Sequence, residues 1–300
     1  MKSNKIKKPL GEKLLSASFH TFLCFFSLVC VVSFLLILAI SFQSQTEITN
    51  SGYSLIPSEP TVEAYKLILE KPMSLVKSYG ITFLTTILGS VLGVWLSATA
   101  GYVISRKDYR YNSIVTFYIF FTMLFNGGLV PNYIMLANWF HLKNTVWVLI
   151  LPLLVSAWNI MLFKGFFQGI PDALIESAKL DGAGEFRIFT QIVLPISKPA
   201  IATITLFYVL GYWNDWYNSM LYTTEDKYYT LQYLLMLILK NVEFLNSATA
   251  REMGAIQDAV VPTLNVRMGM CVLAAGPILV VFPFFQKYFV KGITIGAVKG

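Results

Sequence analysis

The chain has 300 residues, of which 56% are hydrophobic and 13% are charged, and its mean hydropathy is +0.62. This composition excludes a single soluble domain, because one core cannot bury so much apolar surface, and it predicts an all-α membrane protein. The formal net charge of +7 indicates either a polyanionic partner or a membrane topology, and the positions of the charges decide between the two.

Six apolar stretches are long enough to cross about 30 Å of hydrocarbon as helices. They cover residues 19–42, 80–104, 113–137, 145–167, 200–222 and 268–285, with segment 1–18 before the first and tail 286–300 after the last. The first stretch exceeds the apolar run of a signal peptide, about 7–15 residues, which favours an uncleaved anchor. Residues 228–239 are apolar but too short to cross, which predicts an interfacial or re-entrant helix.

The basic residues concentrate on one side of this topology. The termini, residues 105–112 and residues 164–199 together carry 15 Lys and Arg against 6 acidic residues, whereas the opposite loops carry 8 against 9. Because Lys and Arg accumulate in cytoplasmic loops, both termini are predicted to be cytoplasmic in a bacterial plasma membrane. The high pI therefore reflects topology and not nucleic-acid binding.

Residues suited to catalysis or metal binding are sparse. Cys24, Cys30 and Cys271 lie in apolar runs without metal or disulfide spacing, and His20 and His141 are far apart. No phosphate-binding G-x-x-x-x-G-K-[ST] sequence is present. We predict no enzyme activity, cofactor or metal in this chain.

The second span carries small residues every four positions: Gly89, Gly93, Ser97 and Gly101. Such a stripe permits close helix packing. It is compatible with contact to another subunit or to a neighbouring helix of the same chain.

Two spans contain polar residues that suggest a solute pathway. The third is interrupted by "FNGGLVPNY", and irregular backbone at membrane depth requires protein or water beside it, although a simple kink also fits. The fifth contains "WNDWYN", which suits sugars or, alternatively, an aromatic belt at the headgroups. The candidate lining residues are Asn126, Asn132, Tyr133, Trp213, Asn214, Asp215, Trp216 and Asn218.

The loop at residues 168–199 has more structure than a simple connection requires. Pro171, Asp172 and Lys179 suit the two ends of a short helix, and Gly182 is placed for a left-handed cap. A second helical pattern follows and is predicted to end at the prolines of "LPISKP". These features fit an amphipathic hairpin on the headgroups or a docking element for a partner.

The loop resembles the cytoplasmic E-A-A-x-x-x-G-x9-I-x-L-P motif of ABC importer permeases, with Ser at the second position. By this resemblance the loop is a coupling helix that fits a cleft on an ATPase subunit. The residues assigned to coupling are Glu176, Ser177, Ala178, Asp181, Gly182, Ile192, Leu194 and Pro195.

The ending "VKGITIGAVKG" resembles the tail of the maltose-type inner permease, in which Gly292, Gly296 and Lys299 would contact the ATPases. The chain thus resembles the MalG-like permeases of carbohydrate importers, with a type I architecture of six helices. The resemblance implies a second homologous permease, two ATPases that use ATP and Mg, and an extracytoplasmic binding protein that meets segment 223–267. The solute would be an oligosaccharide. A self-sufficient secondary transporter of a polar solute and a membrane scaffold are the alternatives.

Overall fold

The structure is a computed structural model that describes residues 10–70, 72–245, 247 and 264–297. The described residues form helices joined by turns and short loops, with an isolated β-bridge between Gln43 and Pro60. They divide into two compact units. The first contains the described residues of Met1–Glu70 and Leu239–Leu273, and the second contains those of Lys71–Ile238 and Ala274–Gly300.

The helices are numbered along the chain. They are α1 (Leu10–Ser41), α2 (Gln45–Ser51), α3 (Glu63–Ile68), α4 (Pro72–Ser105), α5 (Asn112–Leu124), α6 (Leu129–Tyr133), α7 (Val146–Leu154), α8 (Ala157–Gln168), α9 (Asp172–Leu180), α10 (Glu185–Ile188), α11 (Leu194–Ile196), α12 (Lys198–Trp213), α13 (Tyr217–Tyr222), α14 (Leu231–Leu245) and α15 (Leu264–Ala297). A π-helical turn, Ile134–Trp139, extends α6, and another, Phe189–Val193, joins α10 to α11. A 3-10 turn covers Asp226–Tyr228.

Three helices contain single segments that are long and apolar enough to cross a bilayer, and these segments are Leu15–Ser41, Pro72–Ser105 and Leu264–Gln286. Three bent pairs also qualify: α5 with α6 and its π turn (109°), α7 with α8 (48°), and Glu185–Ile196 with α12 (85°). The described residues therefore provide up to six spans. The predicted spans other than 200–222 each overlap one helix or one bent pair, although α4 begins at Pro72, before the predicted start at residue 80.

The predicted fifth span, residues 200–222, is not one continuous helix. α12 ends at Trp213, and α13 begins at Tyr217. The Asp215 carboxylate lies in the break and accepts a hydrogen bond of 3.1 Å from the backbone N–H of Asn218. Aspartate favours such capping positions over helix interiors, because its side chain competes for backbone donors. The prediction of one continuous span followed its apolar composition and did not take this local preference into account.

The interruption predicted in the third span is confirmed. The backbone of Gly128 has a φ of +88°, a conformation that favours glycine. Oδ1 of Asn126 accepts a hydrogen bond of 2.9 Å from the Gly128 N–H and closes the turn. Pro131 falls in the first turn of α6, where its missing N–H breaks no helical bond.

The apolar stretch 228–239 contributes to α14, a helix of 15 residues. This length falls short of the roughly 20 residues needed to cross a bilayer, as predicted. In the remainder of segment 223–267, residues 246 and 248–263 lie outside the described residues.

In the first unit, a buried glutamine organises the loop that follows α1. The Nε2 atom of Gln43 donates to the Gly52 carbonyl at 3.1 Å, and the Gln43 carbonyl accepts from Nδ2 of Asn265 at 3.2 Å. Nearby, Oγ of Ser41 lies 2.8 Å from the Tyr65 hydroxyl. Because these buried polar groups bond to one another, the loop between the first two predicted spans has a defined structure.

In the second unit, α4 packs against α7, α8 and α12. Its small residues face these helices of the same chain. A Cβ atom added to Gly89 would lie 2.3 Å from the Tyr212 ring, and one added to Gly101 would lie 2.6 Å from Cβ of Phe163. The question left open by the sequence is thus decided, because the stripe permits contacts within this chain.

The hydroxyl group of Tyr208 bridges the break between α7 and α8. It donates to the Leu154 carbonyl at 3.2 Å and accepts from the Ser156 N–H at 3.3 Å. It also lies 2.6 Å from Oγ of Ser97 on α4. Pro152 weakens the hydrogen bonding of α7 just before this break. The tyrosine compensates by satisfying backbone groups that the bend leaves without helical partners.

Candidate functional site

The 168–199 loop contains the short helix that its sequence predicts, α9. The sequence predicts Pro171 at the first helical position, whereas in the structure Pro171 is the N-cap residue and α9 begins at Asp172. Gly182 has a φ of +78°, so the predicted left-handed conformation is confirmed. The N–H of Ala183 then donates to the Ala178 carbonyl at 2.9 Å and closes the end of α9.

The next helical segment, Glu185–Ile196, ends between Pro195 and Pro199, as predicted. Pro195 lies inside α11, and Pro199 lies in the first turn of α12. The π turn that precedes Pro195 has a wider backbone than an α-helix, which relieves the clash between a proline ring and the carbonyl four residues earlier. Proline in a first turn breaks no hydrogen bond. The chain bends by 85° at Ser197, between the two prolines, and continues as α12.

Two faces of α9 have different roles. Ile175 and Ala178 are buried, and they join a core formed with residues of α4, α8 and α12. Glu176 and Ser177 are exposed on the opposite side, and the Leu180 side chain is 89% exposed. Exposed apolar side chains beside charged groups often mark protein–protein contact sites, so this face is suited to a protein partner.

The remaining predicted coupling residues also divide between the two roles. Asp181, Gly182 and Pro195 are exposed, whereas Ile192 and Leu194 are partly buried against the same core as Ala178. The motif therefore combines residues that hold the loop on the chain with residues that face outward.

A charged cluster attaches α9 to the end of α4. Nζ of Lys179 lies 2.8 Å from a carboxylate oxygen of Asp108 and 2.7 Å from one of Glu185. Arg106 pairs with Asp108 at 3.0 Å, and the Tyr102 hydroxyl donates to Glu185 at 2.7 Å. We call these five residues the loop cluster. Sequence analysis missed it, because its members come from segments about 70 residues apart and no local spacing relates them.

The loop cluster shifts the protonation equilibria of its members. Hydrogen bonds from Arg106, and then from Lys179, lower the pKa of Asp108 from 3.8 to about 2. Hydrogen bonds to Asp108 and Glu185 raise the pKa of Lys179. Asp108 and Lys179 therefore stay charged at neutral pH, and the lysine links the carboxylates of Asp108 and Glu185, which come from different segments.

A second candidate site is a cavity of about 550 Å³ in the second unit. It unites residues of the broken third span with residues of α7 and α13. We call this space the amide cavity, and the residues that line it are Asn126, Gly128, Leu129, Asn132, Met135, Leu136, Phe140, Leu151, Pro152, Tyr217, Asn218, Leu221 and Tyr222. Three of the predicted pathway residues, Asn126, Asn132 and Asn218, thus share one cavity although they belong to two different spans.

The predicted pathway residues Asp215 and Tyr133 lie behind this wall. Asp215 accepts a hydrogen bond of 2.9 Å from Nδ2 of Asn218, which fixes the orientation of that amide. The Tyr133 ring stacks on the ring of Tyr222, with centroids 5.5 Å apart. Both residues therefore position side chains that line the cavity.

The other aromatic candidates lie elsewhere. Trp213 is only 2% exposed, its ring contacts Phe83, and its Nε1 donates to the Ala274 carbonyl at 2.9 Å. Trp213 is thus part of the packing inside the second unit. Asn214 and Trp216 are exposed and do not line the amide cavity. Sequence spacing did not separate these residues from Asn218, because the break after Trp213 changes the directions of the side chains.

The C-terminal prediction is only partly covered by the structure. Gly292 and Gly296 lie in α15, which continues to Ala297, so the described part of the tail is helical. Lys299 lies outside the described residues. Among the described residues, no group of His, Cys, Asp and Glu is arranged to hold a metal ion.

Comparison with known proteins places these features in one context. Residues 89–295 match the family described as binding-protein-dependent transport system inner membrane component. The chain is 36% identical to Protein LplC of Bacillus subtilis, over 91% of this chain and 90% of LplC. It is 35% identical to the polygalacturonan/rhamnogalacturonan transport system permease protein YtcP of the same organism, over 97% of this chain and 100% of YtcP.

The fold has a solved counterpart. A bacterial ABC transporter chain, from a structure described as involved in the import of the acidic polysaccharide alginate, superimposes with a TM-score of 0.75 at 24% identity. The match covers 95% of this chain and 100% of that chain. At this identity the likeness shows the fold alone.

Proposed function

This chain belongs to the family of binding-protein-dependent transport system inner membrane components, and we propose that it conducts a saccharide as the permease of an ATP-driven importer. Membership makes it a membrane transport protein, and it favours the importer over a self-sufficient secondary transporter. The proposal that the transported solute is a saccharide is supported by the names of related proteins. YtcP is named for polygalacturonan and rhamnogalacturonan transport, and a 32% identical relative from Streptococcus pneumoniae is a maltodextrin transport system permease protein.

The observation that carries the coupling proposal is the division of α9 into a buried and an exposed face. The buried face fixes the helix to the core, so a force on the exposed face moves α8 and α12 with it. Leu180 and Phe186, which is 70% exposed, supply apolar contacts, and Glu176 supplies a carboxylate. Apolar anchors beside a charged group are typical of interaction hot spots. In this proposal the face docks on an ATPase subunit.

The proposed assembly contains this chain, a second homologous permease, two ATPases and an extracytoplasmic binding protein. The six predicted spans place α9, both termini and the tail residues Gly292, Gly296 and Lys299 on the cytoplasmic side with the ATPases. ATP and Mg are used by the ATPase subunits. Alternating access between the two permeases would carry the sugar across the membrane, and the amide cavity would form part of the path on this chain.

Affinity purification of the tagged chain from native membranes tests the assembly. We expect an ATPase and a second permease to accompany the wild-type chain in near-equal amounts. Leu180→Ala and Glu176→Gln should reduce the recovered ATPase and uptake, since both residues lie on the docking face. Leu55→Ala is the matched control, because Leu55 is an exposed leucine in the loop between α2 and α3. Equal ATPase recovery from all variants would refute the docking role of α9.

A further inference from the structure

Resting on the saccharide pathway proposed above, we propose that the amide cavity binds an uncharged, hydroxyl-rich sugar unit and discriminates against uronic acids. Neither the fold nor the relatives decide this point, because the solved counterpart serves an acidic polysaccharide and YtcP is named for polygalacturonan, a polymer of uronic acid units. The chemistry of the cavity wall does decide it. Its volume of about 550 Å³ lies within the range of about 300–1,000 Å³ typical of small-molecule sites.

The amides of the wall have complementary hydrogen-bonding capacity. Oδ1 of Asn126 is bound to the Gly128 N–H, so its Nδ2 is the atom that can donate to a ligand. Nδ2 of Asn218 is bound to Asp215, so its Oδ1 is the acceptor on the other end of that amide. Asn132 is exposed and adds a third amide. A sugar hydroxyl both donates and accepts, which suits a wall that offers both functions.

The same arrangement is unfavourable for a carboxylate. None of the residues lining the amide cavity is a lysine or an arginine, the side chains that bind carboxylates most strongly. Most of the lining residues lie within residues 113–137, 145–163 and 199–222, which contain no Lys or Arg. Lys143 follows the lining residue Phe140 by three positions, but it is exposed and does not line the cavity. The carboxyl group of Asp215 lies directly behind Asn218 and supplies no positive charge to an anion.

Aromatic rings complete the site. Tyr217, Tyr222 and Phe140 line the cavity beside the amides. The apolar C–H faces of a sugar ring pack on such rings, while its hydroxyls bond to polar groups at the edges. The wall therefore combines the two kinds of contact that an uncharged sugar requires.

Uptake by the intact importer in proteoliposomes, with its own binding protein, tests the proposal. The vesicles receive a neutral oligosaccharide mixture or a uronic-acid-containing mixture of matched length, and mass spectrometry identifies what enters. We expect ATP-driven uptake of neutral sugars. Asn132→Leu and Asn218→Ser should each raise the half-saturating concentration about two- to tenfold, the effect of one neutral hydrogen bond.

The matched control is Asn214→Leu, because Asn214 is an asparagine in the break just before α13 but lies outside the cavity. It should leave uptake unchanged. Asn132 is exposed, so its replacement tests the site even if replacement of the buried Asn218 disturbs folding.

The possible failures are distinguishable. ATP-driven uptake of uronates in preference to neutral sugars would overturn the discrimination while leaving the importer function intact. Neutral uptake with Asn132→Leu equal to Asn214→Leu would overturn the site. Uptake of neither mixture by a complex that retains its ATPase would refute the saccharide function, and this inference with it.

Discussion

Replacement of Gly101 by alanine tests the packing that connects α4 to α8 and, through α8, to the 168–199 loop. A Cβ atom at this position would lie 2.6 Å from Cβ of Phe163, 3.1 Å from the Ile160 carbonyl oxygen and 3.2 Å from the Lys164 nitrogen. All three atoms belong to the backbone of α8 or are attached directly to it. Because carbon atoms prefer about 3.5–4.0 Å, α8 must move by about 1 Å.

The magnitude follows from a comparison with Gly211→Ala. Nothing lies within 4 Å of a Cβ atom added to Gly211 in α12, so that variant receives only the helix-propensity gain of about 1 kcal/mol. Gly101→Ala receives the same gain but also overpacks the α4–α8 interface, which costs about 1–3 kcal/mol. The difference between the two variants therefore isolates the overpacking.

Thermal unfolding of the purified complex in detergent measures this difference. At roughly 2–4 °C per kcal/mol, the midpoint of Gly101→Ala should lie about 2–12 °C below that of Gly211→Ala. Uptake should also fall, because α8 leads directly into α9 and its displacement moves Glu176. Equal midpoints and equal uptake would refute the assignment of this glycine to a contact within the chain.

Three further predictions concern the loop and the bend that precedes it. Lys179→Met removes the two ion pairs that Lys179 forms in the loop cluster and should lower the amount of sugar taken up per ATP hydrolysed. The free energy of unfolding should fall by only about 0.5–2 kcal/mol, because the groups are partly exposed. An unchanged ratio of uptake to ATP hydrolysis would contradict a positioning role for Lys179. Tyr208→Phe should cost about 1–3 kcal/mol in unfolding measurements, since it deprives Leu154 and Ser156 of their partner, and no loss would contradict the bridge. The pKa of Asp108 is lowered from 3.8 to about 2, so its contribution to stability is complete above pH of about 4 and is lost as the pH falls towards 2. The difference in unfolding free energy between wild type and Asp108→Asn should therefore be constant from pH 7 to 5 and should shrink below pH 4.

The loop was the part of the site most accessible to sequence reasoning. Its signals are contiguous: the proline and acid at the start of α9, the lysine near its end and Gly182 beyond it act within a few residues of one another. Short-range rules predict such features, because the hydrogen bonds they describe join neighbouring residues. The π turn before Pro195 was not predicted, since a π turn is not encoded by any simple local pattern.

The pathway residues show where sequence reasoning ends. Composition identified polar residues in the third and fifth spans, but it assigned Trp213 and Asn218 the same role. The break at Asp215 buries the indole inside the unit and turns the amide to the cavity. No periodicity of a continuous helix predicts this separation.

Sequence patterns alone predict a membrane protein, the approximate positions of the apolar helices, the short helix of the loop and its left-handed glycine. These properties depend on hydrophobicity over windows of about 20 residues and on local backbone preferences. Only the tertiary structure decided which helices the glycine stripe contacts, that Lys179 joins Asp108 to Glu185, and that asparagines of two spans share one cavity. These pairings depend on how bent helices pack in three dimensions, because the distance between residues far apart in sequence is fixed by packing and not by their spacing along the chain.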